Sequence, residues 1–315
     1  NTWVRLAIVT LVVITLVITG YSLYFRIDPS LLLKANIYYI LVSIIVYTIA
    51  WFFSGIRLMI LHKAFTGKKL DLLDYMGIRL IGGLMAYLTP SAIGGEPGRA
   101  YLLAKKSDSD FTPFFALTIF EVYQDIVFTN IVAIMFSFLH LPYTIPVILL
   151  SLFVLTSWTL LVIGWIKGYG EGIIDRFFIS RLPKIIKEHY NVFTNTFKQI
   201  NNRCSVLCLI SSMVITIMYQ VLSGITIYYI SLSIDPSTSL LDAFAAYIYA
   251  LALGALPTPG GAGAIEYGLT IAVSPGAVVL SRTITLLYVI VSGSIVLLTV
   301  YKSYVSELLE WIRNQ

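Results

Sequence analysis

Six ionisable side chains stand where an apolar chain has no ordinary use for them. Glu96 and Arg99 lie in "TPSAIGGEPGR" (89–99), and Glu266 closes "LPTPGGAGAIE" (256–266). Glu121 and Asp125 stand four apart in "EVYQD", and Arg282 opens "SRTITLLY" (281–288). Residues four apart share a helix face, so two acids there repel unless a cation or a proton intervenes. At the breaks, Pro97 suits the first turn of a helix, and Gly260, Gly261 and Gly263 permit close backbone approach and positive φ. A helix N-terminus made inside an apolar region carries free N–H groups and partial positive charge, which favour an anion. The chemistry these residues offer is the holding and release of an anion, with carboxylates that pair with arginine or carry protons.

The elements that must position them are membrane helices. The 315 residues are 58% hydrophobic and 12% charged, about half the charged fraction of soluble chains. Six apolar runs are long enough to span a bilayer: 4–25, 37–61, 111–139, 144–166, 206–232 and 276–301. The first is too long, and lacks the small-residue cleavage site, for a signal peptide. Counting from Phe111, Glu121 and Asp125 lie roughly 15 and 21 Å into their span. Each uncompensated charge at such depth costs about 2.5–3.5 kcal/mol, so these groups must face one another or a wet cavity.

Two further hydrophobic stretches are broken. One runs over 72–88, breaks at 89–99 and resumes at 100–104; the other runs over 240–256 and resumes at 267–273. If both turn back, most of the 21 basic residues fall on one face, including Arg57, Lys63, Lys68 and Lys69, while Arg26 and Lys34 lie on the other. Arg79, Arg99 and Arg282 remain inside hydrophobic or broken segments. The positive-inside rule then predicts two re-entrant hairpins and cytoplasmic termini. Span, hairpin, span recurs upside down, and "TPSAIGGE" echoes "TPGGAGAIE". The expected fold is an all-α polytopic membrane protein of six full spans and two re-entrant helical hairpins, arranged as an inverted repeat. It forms a single transmembrane domain over 1–315, with repeats at about 37–139 and 206–301.

The segment 168–203 spaces its aromatic and aliphatic residues helically between Lys and Arg. It reads as one or two amphipathic helices on the inner leaflet, divided at Pro183. Cys204 and Cys208, four apart on a helix, read as packing residues and not a disulfide or metal site. Asp71, Asp74 and Asp242 read as helix caps, and Tyr123 as packing. The net charge of +5 suits an anionic lipid surface, not nucleic acid. No Gly-x-x-x-x-Gly-Lys-Ser/Thr stretch occurs, so no ATPase is expected, and with no metal-ligand cluster in the sequence no metal or other cofactor is expected either.

"GGEPGRAYLL" (94–103), "EVYQD", "LPTPGGAGAIEYG" and "SRTITLLY" resemble the flippase-like transmembrane domain family. That family includes the membrane half of lysylphosphatidylglycerol synthases and archaeal proteins linked to dolichol-dependent N-glycosylation. The resemblance runs from about Gly67 to Tyr301. It implies an inverted-repeat fold that moves lipids between leaflets, with Glu96, Arg99, Glu121, Asp125, Gly260, Gly261, Glu266 and Arg282 at the substrate. Two positions depart from the family pattern: Val122 and Ile265 stand where arginine is frequent, which weakens the case for a bulky anionic headgroup. These residues include no soluble aminoacyl-transferase domain, so lysyl transfer is not expected of them.

The leading expectation is a flippase or scramblase in the cell membrane. Its cargo is the headgroup of an anionic phospholipid or polyprenyl-phosphate glycolipid. Coupling to protons or sodium and assembly as a homodimer stay open. The first rival is an ion-coupled carrier of a small soluble anion; the second, ranked last, is a membrane-embedded transferase using Glu121 and Asp125 as acid and base.

Overall fold

The computed structural model describes residues 2–89, 94–167 and 184–302, and within them it is all-helical. In chain order the helices are α1 (Thr2–Tyr24), α2 (Pro29–Leu33), α3 (Ile37–Thr66), α4 (Leu72–Leu88), α5 (Gly95–Lys106), α6 (Phe111–Ser137), α7 (Ile145–Lys167), α8 (Lys184–Arg203), α9 (Val206–Leu232), α10 (Leu240–Leu253), α11 (Ala264–Thr270) and α12 (Pro275–Thr299). Five of these are long and apolar enough to cross a membrane: α3, α6, α7, α9 and α12. The expected first span appears as α1, whose described apolar stretch is the shorter Ile8–Tyr24. Six expected spans thus become five long helices and one shorter apolar one. The second short apolar helix is α10.

Local signals set the helix ends. Asn36 accepts from the Tyr38 N–H, Ser205 from Cys208 and Ser239 from Asp242, each a side-chain cap on an otherwise orphaned donor. Gly67 ends α3 at φ 73°, the left-handed region glycine enters without steric cost. The aspartates expected as caps stand at helix starts, Asp71 at the N-cap position of α4. Asp71 makes no side-chain cap bond. Asp74 and Asp242 sit in first turns and pair with Lys106 (2.9 Å) and His140 (3.3 Å). At α10, Ser239 takes the cap position and also donates to Asp242 at 2.7 Å, while the other Asp242 oxygen meets His140.

Helices α4 and α5 form an antiparallel hairpin. A Cβ on Gly82 would meet Arg99 and Gly95, one on Gly98 would meet Met85, and one on Gly94 would meet Thr89, so partners run in opposite order. Helices α10 and α11 do the same, with Gly261 near Gly254 and Gly268 on Ala250. In a bilayer, lipid tails give no apolar driving force for helix association, so small residues that allow close approach carry the packing. A Cβ on Gly268 would lie 2.6 Å from the Ala250 backbone. Gly268→Ala is therefore expected to cost about 1–3 kcal/mol of stability, read as a lowered unfolding midpoint in detergent, with Gly164→Ala (open space at its Cβ) as the neutral control.

The ends of the elements gather on two faces. Asp74, Lys106 and Tyr301 meet, and Ser107 reaches His62 near the end of α3, on one face. His140 meets Asp242 and Tyr249, and Tyr21 bonds Thr270 at 2.6 Å, on the other. Helix α8 packs on α6 and α7 through Phe193 and the fully buried Phe197, which meet Trp165, Phe115 and Phe120. The described part of its apolar face is thus turned toward protein, not only toward a leaflet. The remainder of the amphipathic segment, 168–183 with Pro183, lies outside the described residues. Cys204 is buried, Cys208 half-buried, and both are free thiols in the core beside α8. Burial pushes the Cys204 thiol up to about 12, where it stays protonated and inert at neutral pH. Tyr123 packs on the same core.

Candidate functional site

Glu121 is fully buried on α6 and receives guanidinium groups from three helices. Arg57 on α3 donates Nε–H to Oε1 at 3.0 Å; Arg79 on α4 and Arg99 on α5 donate to Oε2 at 3.0 and 2.6 Å. Arg57 forks onward to both oxygens of Asp125, bonds Thr216 and lies 5.1 Å over the Tyr219 ring. Asp125 also accepts from the Tyr219 hydroxyl, which accepts from Gln220, whose oxygen accepts from Tyr247. Arg99 donates to Glu96 at 3.2 Å, and Arg79 donates Nε–H to Ser54 at 2.5 Å. One network therefore pins the first hairpin to α3, α6, α9 and α10. By formal charge it balances, three arginines against Glu96, Glu121 and Asp125.

The second hairpin has its own buried pair. Arg282 on α12 donates Nε–H to Glu266 at 2.6 Å and Nη2–H to the Gly260 carbonyl at 3.1 Å. Gly260 and Gly261 stand at φ 57° and 70°, as the broken segment requires. The other oxygen of Glu266 accepts the Gly263 N–H at 2.6 Å, and the Gly94 N–H at the first break donates to Thr89. The N-cap amide at each break is thus engaged by the protein itself. A short-range carboxylate at a helix start satisfies the same donors with no loss of binding freedom.

Guanidiniums face the open space instead. A cavity of about 270 Å³ is lined by Arg79 from the first hairpin, Arg282, Tyr47, Trp51, Tyr219 and Tyr247, among others. Among the described residues, Arg79 Nη2 and Arg282 Nη1 have no protein partner. Of the eight residues expected at the substrate, Arg282 lines this cavity. Glu96, Arg99, Glu121 and Asp125 form the network behind Arg79, while Gly260, Gly261 and Glu266 hold Arg282 from the other side. No group of three His, Cys, Asp or Glu side chains suited to a metal converges among the described residues.

Two central residues escaped the sequence. Arg57 reads from the sequence as a basic loop residue, yet it is fully buried about two and a half turns inside the end of α3. The signal was present: "LMIL" continues the apolar run after it. Arg79, flanked by "GI" and "LIGG", had no assigned role.

Residues 2–300 match the family model "Lysylphosphatidylglycerol synthase TM region". The chain belongs to the lysylphosphatidylglycerol synthase TM region family. A similar protein, the UPF0104 membrane protein of Methanothermobacter thermautotrophicus (strain Delta H), is 25% identical over 87% of this chain and 88% of its own. Like other members of the lysylphosphatidylglycerol synthase TM region family, the protein is a multi-pass membrane protein, as its apolar helices require. In this family member the residues that carried the resemblance, Glu96, Arg99, Glu121, Asp125, Glu266 and Arg282, all belong to the two ion-pair networks around the cavity.

Proposed function

We propose that the protein is a lipid flippase or scramblase that passes an anionic phospholipid or polyprenyl-phosphate glycolipid headgroup through its central cavity. The observation that carries this reading is the pair Arg79 and Arg282, one beside each hairpin, lining a single cavity with one guanidinium nitrogen apiece unclaimed. A guanidinium fork in a low-dielectric setting favours phosphate oxygens. Tyrosine hydroxyls and rings around it suit the polar and apolar faces of a sugar or glycerol.

The architecture behind this is six spans with two re-entrant hairpins as an inverted repeat. Its support is the order α3, α4–α5, α6 repeated by α9, α10–α11, α12, with hairpin ends on opposite faces. A buried ion pair ties each hairpin to the following long helix, Arg99 to Glu121 and Glu266 to Arg282, with the charges exchanged. Opposed broken helices meeting at midplane suit alternating access. On this reading the face where the basic ends of α3 and α5 meet is the cytoplasmic one of a cell membrane, as the positive-inside rule favours.

Since the first network is neutral, a monoanion arriving at Arg79 brings one charge in excess. A proton on Asp125 or Glu96, whose side chains are 23% and 27% exposed, offsets it; Glu121, at 0%, is sealed. Proton coupling follows on this reading. Glu121 and Asp125 hold arginines and do not line the cavity, which favours transport over transferase chemistry.

Proteoliposomes carrying a fluorescent anionic phospholipid or polyprenyl-phosphate test the reading. A quencher added outside should reach inner-leaflet label faster than in empty vesicles, and more so with a proton gradient. Rates equal to empty vesicles for every anionic lipid, with gradient-driven uptake of a radiolabelled soluble anion, would hand the cavity to the carrier reading.

A further inference from the structure

Helices α3 and α12 line the same cavity, through Tyr47 and Trp51 on one and Arg282 and Thr285 on the other. Each packs along α4 and α9, but they do not pack along each other. At Gly83, α4 fills the space between them: a Cβ there would meet Trp51 on one side and Val289 on the other. One turn of α3 away, side chains alone close the seam. The Tyr47 and Tyr288 rings stand 4.9 Å apart, edge to face, and the Tyr288 hydroxyl donates to Thr48 Oγ1 at 3.0 Å.

This wall is one side chain thick. Tyr47 lines the cavity, while Thr48 is exposed on the outside of the bundle. Thr48 lies roughly 16 Å along α3 from Ile37, at bilayer depth. Other exposed threonines, Thr15 on α1 and Thr299 on α12, spend their hydroxyls on the carbonyl four residues back. Thr48 does the same to Ile44 and in addition bridges to a second helix. Separating two well-packed helices would break many contacts at once. Parting this seam breaks one neutral hydrogen bond and one aromatic pair, and leaves the Tyr288 hydroxyl able to re-pair with a passing polar group.

We propose that the cavity is entered sideways, through the α3–α12 seam, by an anionic amphiphile whose headgroup reaches Arg79 and Arg282 while its tails stay in the bilayer. Tyr47, Thr48 and Tyr288 are the door. The proposal rests on the lipid-moving reading above and narrows it: cargo is tailed, and its route is lateral. A soluble anion has no use for a polar latch turned toward hydrocarbon.

The test uses the full chain with Cys204→Ala and Cys208→Ala, to which Thr48→Cys and Tyr288→Cys are added. A short bis-methanethiosulfonate bridges the two thiols and is released by reductant. Bridged protein in vesicles should move labelled anionic phospholipid no faster than empty vesicles, regain its rate on reduction, and differ from either single-cysteine chain treated alike. A bridged protein that keeps its rate overturns the lateral route while leaving lipid movement standing. If the parent chain itself moves no lipid, the functional reading fails, and the proposal with it. Should the double-cysteine chain be inactive before bridging, Tyr288→Phe decides. Loss of the latch bond should raise the rate by about two- to tenfold, the factor one neutral hydrogen bond carries; an unchanged or lower rate overturns the door.

Discussion

Glu121→Gln should lower the stability of the folded protein by about 3–5 kcal/mol, the usual consequence of removing one partner from a buried ion cluster. Glu121 is fully buried and is the one carboxylate that Arg57, Arg79 and Arg99 share. Glutamine keeps the shape and two polar atoms but removes the charge, so three guanidiniums from three helices are left with the outlying Asp125 and Glu96. Desolvated like charges at this spacing repel strongly, because the interior screens them far less than water does. The readout is the unfolding midpoint in mild detergent, with the monodisperse fraction after gel filtration as a second measure. Adding Arg99→Gln to the variant restores formal neutrality and should recover part of the loss. A midpoint unmoved by Glu121→Gln would mean that the cluster is not what fastens the first hairpin.

The second large effect separates cargo from scaffold. In Arg79→Gln, Glu121 keeps Arg57 and Arg99, and glutamine can still reach Ser54, so the fold should persist. The cavity, however, loses one of its two guanidiniums. A charge-assisted hydrogen bond contributes about 1.5–3 kcal/mol, so lipid movement should fall roughly ten- to a hundredfold. Arg79→Lys keeps the charge but loses the fork and should fall between the two. Vesicle transport and detergent stability measured on the same preparations check the separation. Full activity in Arg79→Gln would move the cargo away from this cavity.

Much of the fold was legible because a bilayer simplifies the code. Backbone polar groups have no solvent there, so long apolar runs must be helices, and α4 begins and ends at the residues the hydrophobic run marked. The Pro/Gly breaks were equally plain, since few other residues tolerate the backbone of Gly260 and Gly261. The buried charges announced themselves by cost alone. What cost cannot reveal is pairing. Arg57 looked like one more basic residue near "HKAFTGKK", because a helix end inside the membrane and one outside it read alike within a few turns. Cap assignments were right in position and incomplete in partners for a related reason: Asp74 and Asp242 also meet Lys106 and His140, far away in sequence.

The sequence by itself determined that this is a helical membrane protein with two interrupted segments and a set of acids and arginines that had to find one another. Hydrocarbon permits nothing else, so composition and periodicity suffice. Only the tertiary structure decided that three arginines converge on Glu121, that Glu266 holds both Arg282 and the Gly263 amide, and that Arg79 and Arg282 share one cavity. Those facts depend on which faces of α3, α4, α6 and α9 meet, and close packing through glycine and alanine sets that by shape, a property no linear pattern records.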